Sequence, residues 1–167
     1  LKAIDKADVV FFGEKHNDPV SHWLQMKLLK NSAEKYNVVL GMEMFEKDQQ
    51  LYLDKYLKSE ITMKELETEI KLCPNYKTDY GPLIEFAKEN NIQCVASNVP
   101  RRYASMVYKE GFEVLDEIAN DEKAYFAPLP IAYDANLPSY KRMLEMMEGH
   151  GGENFPKAQA IKDATMA

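Results

Sequence analysis

The sequence has little cysteine, little arginine and no long apolar run, and each scarcity excludes something. Cys73 and Cys94 are the only cysteines, and no CxxC pair is present. The chain therefore carries no disulfide framework and no cysteine-based metal motif of ordinary spacing. Cys94 lies inside an apolar run and reads as a core thiol, whereas Cys73 precedes Pro74 and reads as lying near a surface. No apolar stretch approaches the roughly 20 residues that a membrane-spanning helix needs. Arginine is confined to Arg101, Arg102 and Arg142, and the net charge is -6. That balance excludes the basic face of a sequence-independent nucleic-acid binder and adhesion to an anionic membrane surface.

What is present suits a globular domain. A chain of 167 residues, 46% hydrophobic and 29% charged, is long enough to bury a sizeable core. Residues 7–12 (ADVVFF), 37–42 (NVVLGM) and 92–97 (IQCVAS) are short apolar runs and predict buried strands. Helical spacing of apolar residues predicts helices over 19–36, 47–57, 62–72, 81–90, 100–110 and 112–119. Asp18 with Pro19 forms an N-cap and first-turn pair, and Thr62 with Glu65 forms a capping box. The resulting order, β-α-β-α-α-α-β-α-α, predicts an α/β fold with a wound, mainly parallel sheet flanked by helices. Residues 120–155 are richer in Pro and Gly, contain a Met-rich helix over 139–148, and read as a smaller helical subdomain. The predicted division is a sheet core over 1–119, the helical subdomain over 120–155, and a helix over 156–167 returning to the core. That last helix stops without a capping residue, so the natural protein is expected to continue beyond Ala167. The chain opens at Leu1 with no leader and reads as a mature or trimmed product.

Ligands of open α/β sheets collect where strands end, and each predicted strand here ends on polar residues. The first is followed by Gly13-Glu14-Lys15-His16-Asn17-Asp18, with His22 farther on; the second closes on Glu43; the third leads to Asn98 and Arg101. Glu14, His16, Glu43 and His22 are suitable ligands for a divalent transition metal. A carboxylate after a strand also commonly caps a helix, so the joint occurrence carries more weight than any single residue.

The runs Phe12-Gly13-Glu14-Lys15-His16-Asn17-Asp18-Pro19 through His22, Gly41-Met42-Glu43-Met44-Phe45 and Asn98-Val99-Pro100-Arg101, with Gln159 through Lys162-Asp163 to Met166-Ala167, resemble the ChaN-like proteins. Those are iron-regulated bacterial lipoproteins associated with haem uptake. The resemblance implies a haem-binding (iron protoporphyrin IX) lipoprotein of the outer membrane, carrying a lipid anchor upstream of Leu1 and working with an outer-membrane haem receptor. Its wider superfamily includes metal-dependent proteases and erythromycin-esterase-like enzymes sharing the Gly-x-x-His opening. Their second, late Gly-x-x-His element does not occur here. The competing reading is accordingly a metal-dependent hydrolase built on Glu14, His16 and Glu43.

Haem needs an iron ligand, an apolar slot and partners for its propionates. Tyr140, Met143, Leu144 and Met147 fall on one helical face, and a Met-rich stripe adapts to a flat macrocycle. Such a stripe is more commonly a core face or a dimer contact. Tyr140 is the expected iron ligand, with Tyr133 as the alternative and Tyr76, Tyr80 and Tyr103 ranked below them. Lys141, Arg142 and His150 flank the face and suit propionates. An exposed apolar face of this kind favours a homodimer with haem between two copies.

Overall fold

The computed structural model of the chain describes residues 4–132, 134 and 136–148, the side chains of 143, 144 and 146–148 excepted. Tyr133, His150 and the helix expected over 156–167 lie outside the described residues, as do the side chains of Met143, Leu144 and Met147. The fold is mixed helix and strand. It divides into two compact units, Leu1–Asn98 and Val99–Ala167.

In the first unit, α1 (Pro19–Ala33) starts where the sequence says it should. Asp18 is its N-cap, and the carboxylate accepts the Val20 N–H at 3.0 Å. Leu29 is buried in the core, with Met26 and Ala33 packed against it. β1 (Val39–Glu46) and β2 (Gln93–Asn98) pair in parallel to form a two-stranded sheet. The register runs from Val39 opposite Gln93 to Met42 opposite Ala96, shifts, and resumes with Glu46 opposite Asn98. The shift explains a burial pattern that a regular strand cannot produce. Met42 and Phe45 are both buried, although residues three apart face opposite ways in an unbroken pleat. The irregularity between Met42 and Glu46 turns Phe45 back into the core, while Glu43, next to the buried Met42, faces the other way and is exposed.

Helices α2 (Gln50–Leu57), α3 (Met63–Glu69) and α4 (Gly81–Glu89) complete this unit. The predicted Thr62 box is present: Thr62 Oγ1 accepts the Glu65 N–H, and the Glu65 carboxylate accepts the Thr62 N–H at 2.7 Å. Gln50 does something the sequence does not announce. Its amide donates to the Cys94 carbonyl at 3.0 Å and accepts the Ala96 N–H at 2.7 Å. One side chain thereby satisfies backbone groups along the outer edge of β2, where an open strand would invite a foreign one. Cys94 is a core thiol as expected, and burial pushes it up to about 12, with the Asp54 charge adding to the effect.

The first predicted strand does not form. Residues 7–15 have no regular structure, and Val9, Val10, Phe11 and Phe12 are all exposed, Phe11 to 94%. The run is apolar enough for a strand, but a strand exists only by exchanging hydrogen bonds with a neighbour. Among the described residues the sheet consists of β1 and β2 alone. The parallel pairing and helical cover of the expectation are therefore present, while the larger wound sheet is not part of what is described.

The second unit contains α5 (Arg101–Glu110), a 3-10 stretch at Phe112–Glu117 and α6 (Pro138–Glu148). The 3-10 stretch replaces the α-helix expected over 112–119. Gly111, at φ 89°, separates it from α5, a conformation that favours glycine. Tyr103, Leu115 and Phe126 form the core of this unit. No helix among the described residues is long and apolar enough to cross a membrane.

Candidate functional site

Three of the residues singled out after the first apolar run do converge. Glu14 lies just ahead of α1, and its side chain is nearly buried at 8% exposure. Its Oε1 stands 2.7 Å from His16 Nδ1, and it accepts hydrogen bonds from the Tyr80 hydroxyl and the Gln25 amide. His22, on the first turn of α1, is buried and places Nδ1 3.5 Å from Glu14 Oε2. His22 Nε2 lies 3.1 Å from the His16 carbonyl and 3.4 Å from Asp79 Oδ2. A carbonyl only accepts, so Nε2 of His22 carries a proton. Asn75 ties the assembly together by donating to the same carbonyl at 3.0 Å and to Asp79 at 2.7 Å. The Tyr80 ring meets the His22 ring edge-on at 5.0 Å.

The electrostatics follow from these contacts. Burial opposes ionisation of Glu14, but the hydrogen bonds from Tyr80, His16 and Gln25 and the nearby His22 outweigh it, holding the carboxyl below the usual range. Burial pushes the Tyr80 hydroxyl up, and the carboxylate it bonds pushes it further. Glu14 is thus an anion held by donors, and Tyr80 a phenol that keeps its proton.

A pH dependence of stability results. A carboxyl with a depressed folded-state pKa stabilises the fold above its unfolded value, and that contribution is lost as pH falls through the folded value. The difference in thermal midpoint between the wild type and Glu14→Gln is therefore present at neutral pH and should shrink below about pH 4.3, the ordinary glutamate value. A difference that stays constant down to the acid limit of the fold would show that Glu14 is not held ionised by its neighbours.

Sequence spacing missed Gln25, Asn75 and Asp79 altogether and ranked Tyr80 only as a minor iron ligand. Asn75, Asp79 and Tyr80 come from a single π turn, Tyr76–Tyr80, and the residue before it, a short irregular stretch with no periodic signature. Glu43 and Asn98, two further expected members in the same unit, lie outside these contacts. Glu43 is exposed on β1 and makes no hydrogen bond or ion pair with Glu14 or His16. Among the described residues no group of three or more His, Cys, Asp or Glu side chains is arranged to hold a metal ion. Glu43 directly follows the buried Met42, and successive strand residues face opposite ways, which accounts for its exposure. Asn98 is exposed at the end of β2, and Arg101 is exposed on the first turn of α5, in the other unit.

The haem-facing candidates sit on α6. Tyr140 occupies its first turn and is 41% exposed, and Lys141 and Arg142 beside it are exposed. An accessible phenol followed by two accessible cations fits a group that presents iron and carboxylates together. The lower-ranked tyrosines fit poorly. Tyr76, Tyr80 and Tyr103 are buried. Burial drives each of their hydroxyls upward, away from the phenolate that ferric iron prefers.

A family model described as haem-binding uptake, Tiki superfamily, ChaN matches residues 1–167, the whole chain. Among curated proteins, the chain is similar to the RETICULATA-RELATED 5 protein, chloroplastic, of Arabidopsis thaliana, with 22% identity over 96% of this chain. The chain spans about a quarter of that relative's length, 24%. No solved structure matches it.

Proposed function

We propose, because the chain belongs to the family described as haem-binding uptake, Tiki superfamily, ChaN, that it binds haem iron at α6 through Tyr140 and serves haem or iron uptake at a bacterial cell envelope. The observation that carries the ligand assignment is the exposure of Tyr140 on the first turn of α6, where the other described tyrosines weighed as ligands are buried and protonated. Bound haem supplies a ferric centre that prefers a hard anionic oxygen. The protein's own part is to present that oxygen and to neutralise the propionates. Lys141 and Arg142 suit the second task through charge-assisted hydrogen bonds, and in the sequence Met143, Leu144 and Met147 follow Tyr140 at helical spacing, which supplies apolar residues for the macrocycle.

In this reading α6 is incomplete alone. Its mixed apolar and phenolic face becomes a closed slot when a second copy covers it, so haem is held at a homodimer interface. A lipid anchor upstream of Leu1 and an outer-membrane haem receptor complete the same proposal. The dimer is tested by sedimentation with and without haemin. Saturation with haemin should convert the protein to twice its monomer mass. A monomer mass unchanged at saturation would remove the dimer while leaving haem binding intact.

A further inference from the structure

We propose that residues 8–12 are a strap that closes onto the free edge of β1 as a third, parallel strand. Two unmet needs in the first unit match each other. Val9, Val10, Phe11 and Phe12 are all exposed, and among the described residues no hydrogen bond engages the main chain of residues 8–12. β1 has the complementary lack. It pairs with β2 on one side only, and apart from that pairing no hydrogen bond among the described residues engages the main chain of residues 39–45. Val39 is 58% exposed, and a Cβ at Gly41 would meet nothing within 4 Å. Gln50 already occupies the far edge of β2, so the edge left to take a strand is that of β1. Parallel sheets are ordinarily covered, and an open edge is a template for pairing.

The ties at the two ends of the strap select this edge. The Tyr36 hydroxyl donates to the Asp5 carboxylate at 2.8 Å, across a separation of 31 residues, and β1 begins just beyond Tyr36 at Val39. At the other end Glu14 is held by Gln25 and Tyr80. Asp5 beside Tyr36 starts the strap at the amino end of β1. The same offset carried forward sets Asp8 opposite Val39, Val10 opposite Gly41 and Phe12 opposite Glu43. Both strands then run the same way, and α1 between them is a crossover of the length that parallel neighbours require. In this register Val9 and Phe11 share a face with Leu40 and Met42, which belong to the core. A slip by one residue would turn that pair outward. Closing also places Phe12 beside Glu43, so the position of the strap sets how far Glu43 stands from Glu14 and His16.

The test is amide hydrogen exchange of the full chain read by mass spectrometry, beside a cysteine pair. In the wild type the amides of 9–12 and 39–43 should exchange about a hundredfold slower than those of an unstructured chain. Phe11→Asp places a charge on a side chain that is bare while the strap is open and buried once it closes. Both stretches should then lose protection together while α4 keeps its own. Fast exchange at 9–12 in the wild type, or protection at 39–43 indifferent to Phe11→Asp, overturns the strap. If Phe11→Asp also strips α4, Tyr36→Phe replaces it, since that change removes only the anchoring hydroxyl. Exchange at 9–12 should then rise about twofold to tenfold, the scale of one hydrogen bond, and no rise overturns the proposal. Val10→Cys with Gly41→Cys should oxidise to a disulfide within one chain, because neighbouring strand positions fall in the roughly 4.4–6.8 Å Cα range that the bond needs. Peptide mapping identifies the bonded pair. Disulfide-linked dimers would assign the edge of β1 to a second copy, and no bond at all would remove the register; either result overturns the proposal.

Discussion

Tyr140→Phe is expected to remove the phenolate-to-iron charge-transfer absorption of the ferric complex and to weaken haem binding about tenfold or more, equivalent to about 1.4 kcal/mol. The substitution deletes one oxygen from a side chain that is 41% exposed on the first turn of α6, so the fold should be untouched. Its backbone N–H bonds the Leu137 carbonyl at 3.0 Å, a contact that phenylalanine keeps. The far-ultraviolet circular dichroism and thermal midpoint should therefore match the wild type while the haem spectrum changes. An identical ferric spectrum and affinity in the variant would exclude Tyr140 as a ligand.

The second large effect concerns stability. Phe45→Ala should cost about 3–5 kcal/mol, the range for emptying a buried aromatic site. Phe45 is fully buried and meets the Tyr76 ring edge-on at 6.0 Å. It reaches the core across the register shift between Met42 and Glu46. Denaturant unfolding measures it. A loss below about 1 kcal/mol, the scale of an ordinary surface change, would place Phe45 outside the core.

What was legible in the sequence followed local chemistry. Asp18 before Pro19, and Thr62 three residues ahead of Glu65, mark helix starts because a side-chain oxygen meets a free backbone N–H there, and both helices begin where those pairs stand. The apolar runs at 37–42 and 92–97 became the paired strands. Residues 7–12 carry the same signal and formed none, since β-branched composition records a preference for a pleated, half-buried surface and not the presence of a partner. Pairing register was equally hidden. The slip after Met42 depends on what packs beneath β1, and it brings Phe45 to the buried side.

The site divides the same way. Glu14, His16 and His22 were found because they lie within a few residues of one another at a segment end. Tyr80, Asp79 and Asn75 enter from more than fifty residues away, |i−j| = 59 for the Asn75–His16 bond, and only the folded chain brings them to Glu14. Their arrival changes the chemistry inferred. A set of would-be metal ligands becomes a hydrogen-bonded anion with Tyr80 and Gln25 as donors, and one histidine is left open to solvent.

Whether this chain holds haem iron is decided by an absorption titration of the purified full chain with haemin. A saturable Soret band is expected, with a ferric form that shows phenolate ligation and loses it in Tyr140→Phe. A spectrum that rises linearly with added haemin, with no saturation and no difference between the wild type and the variant, would contradict it.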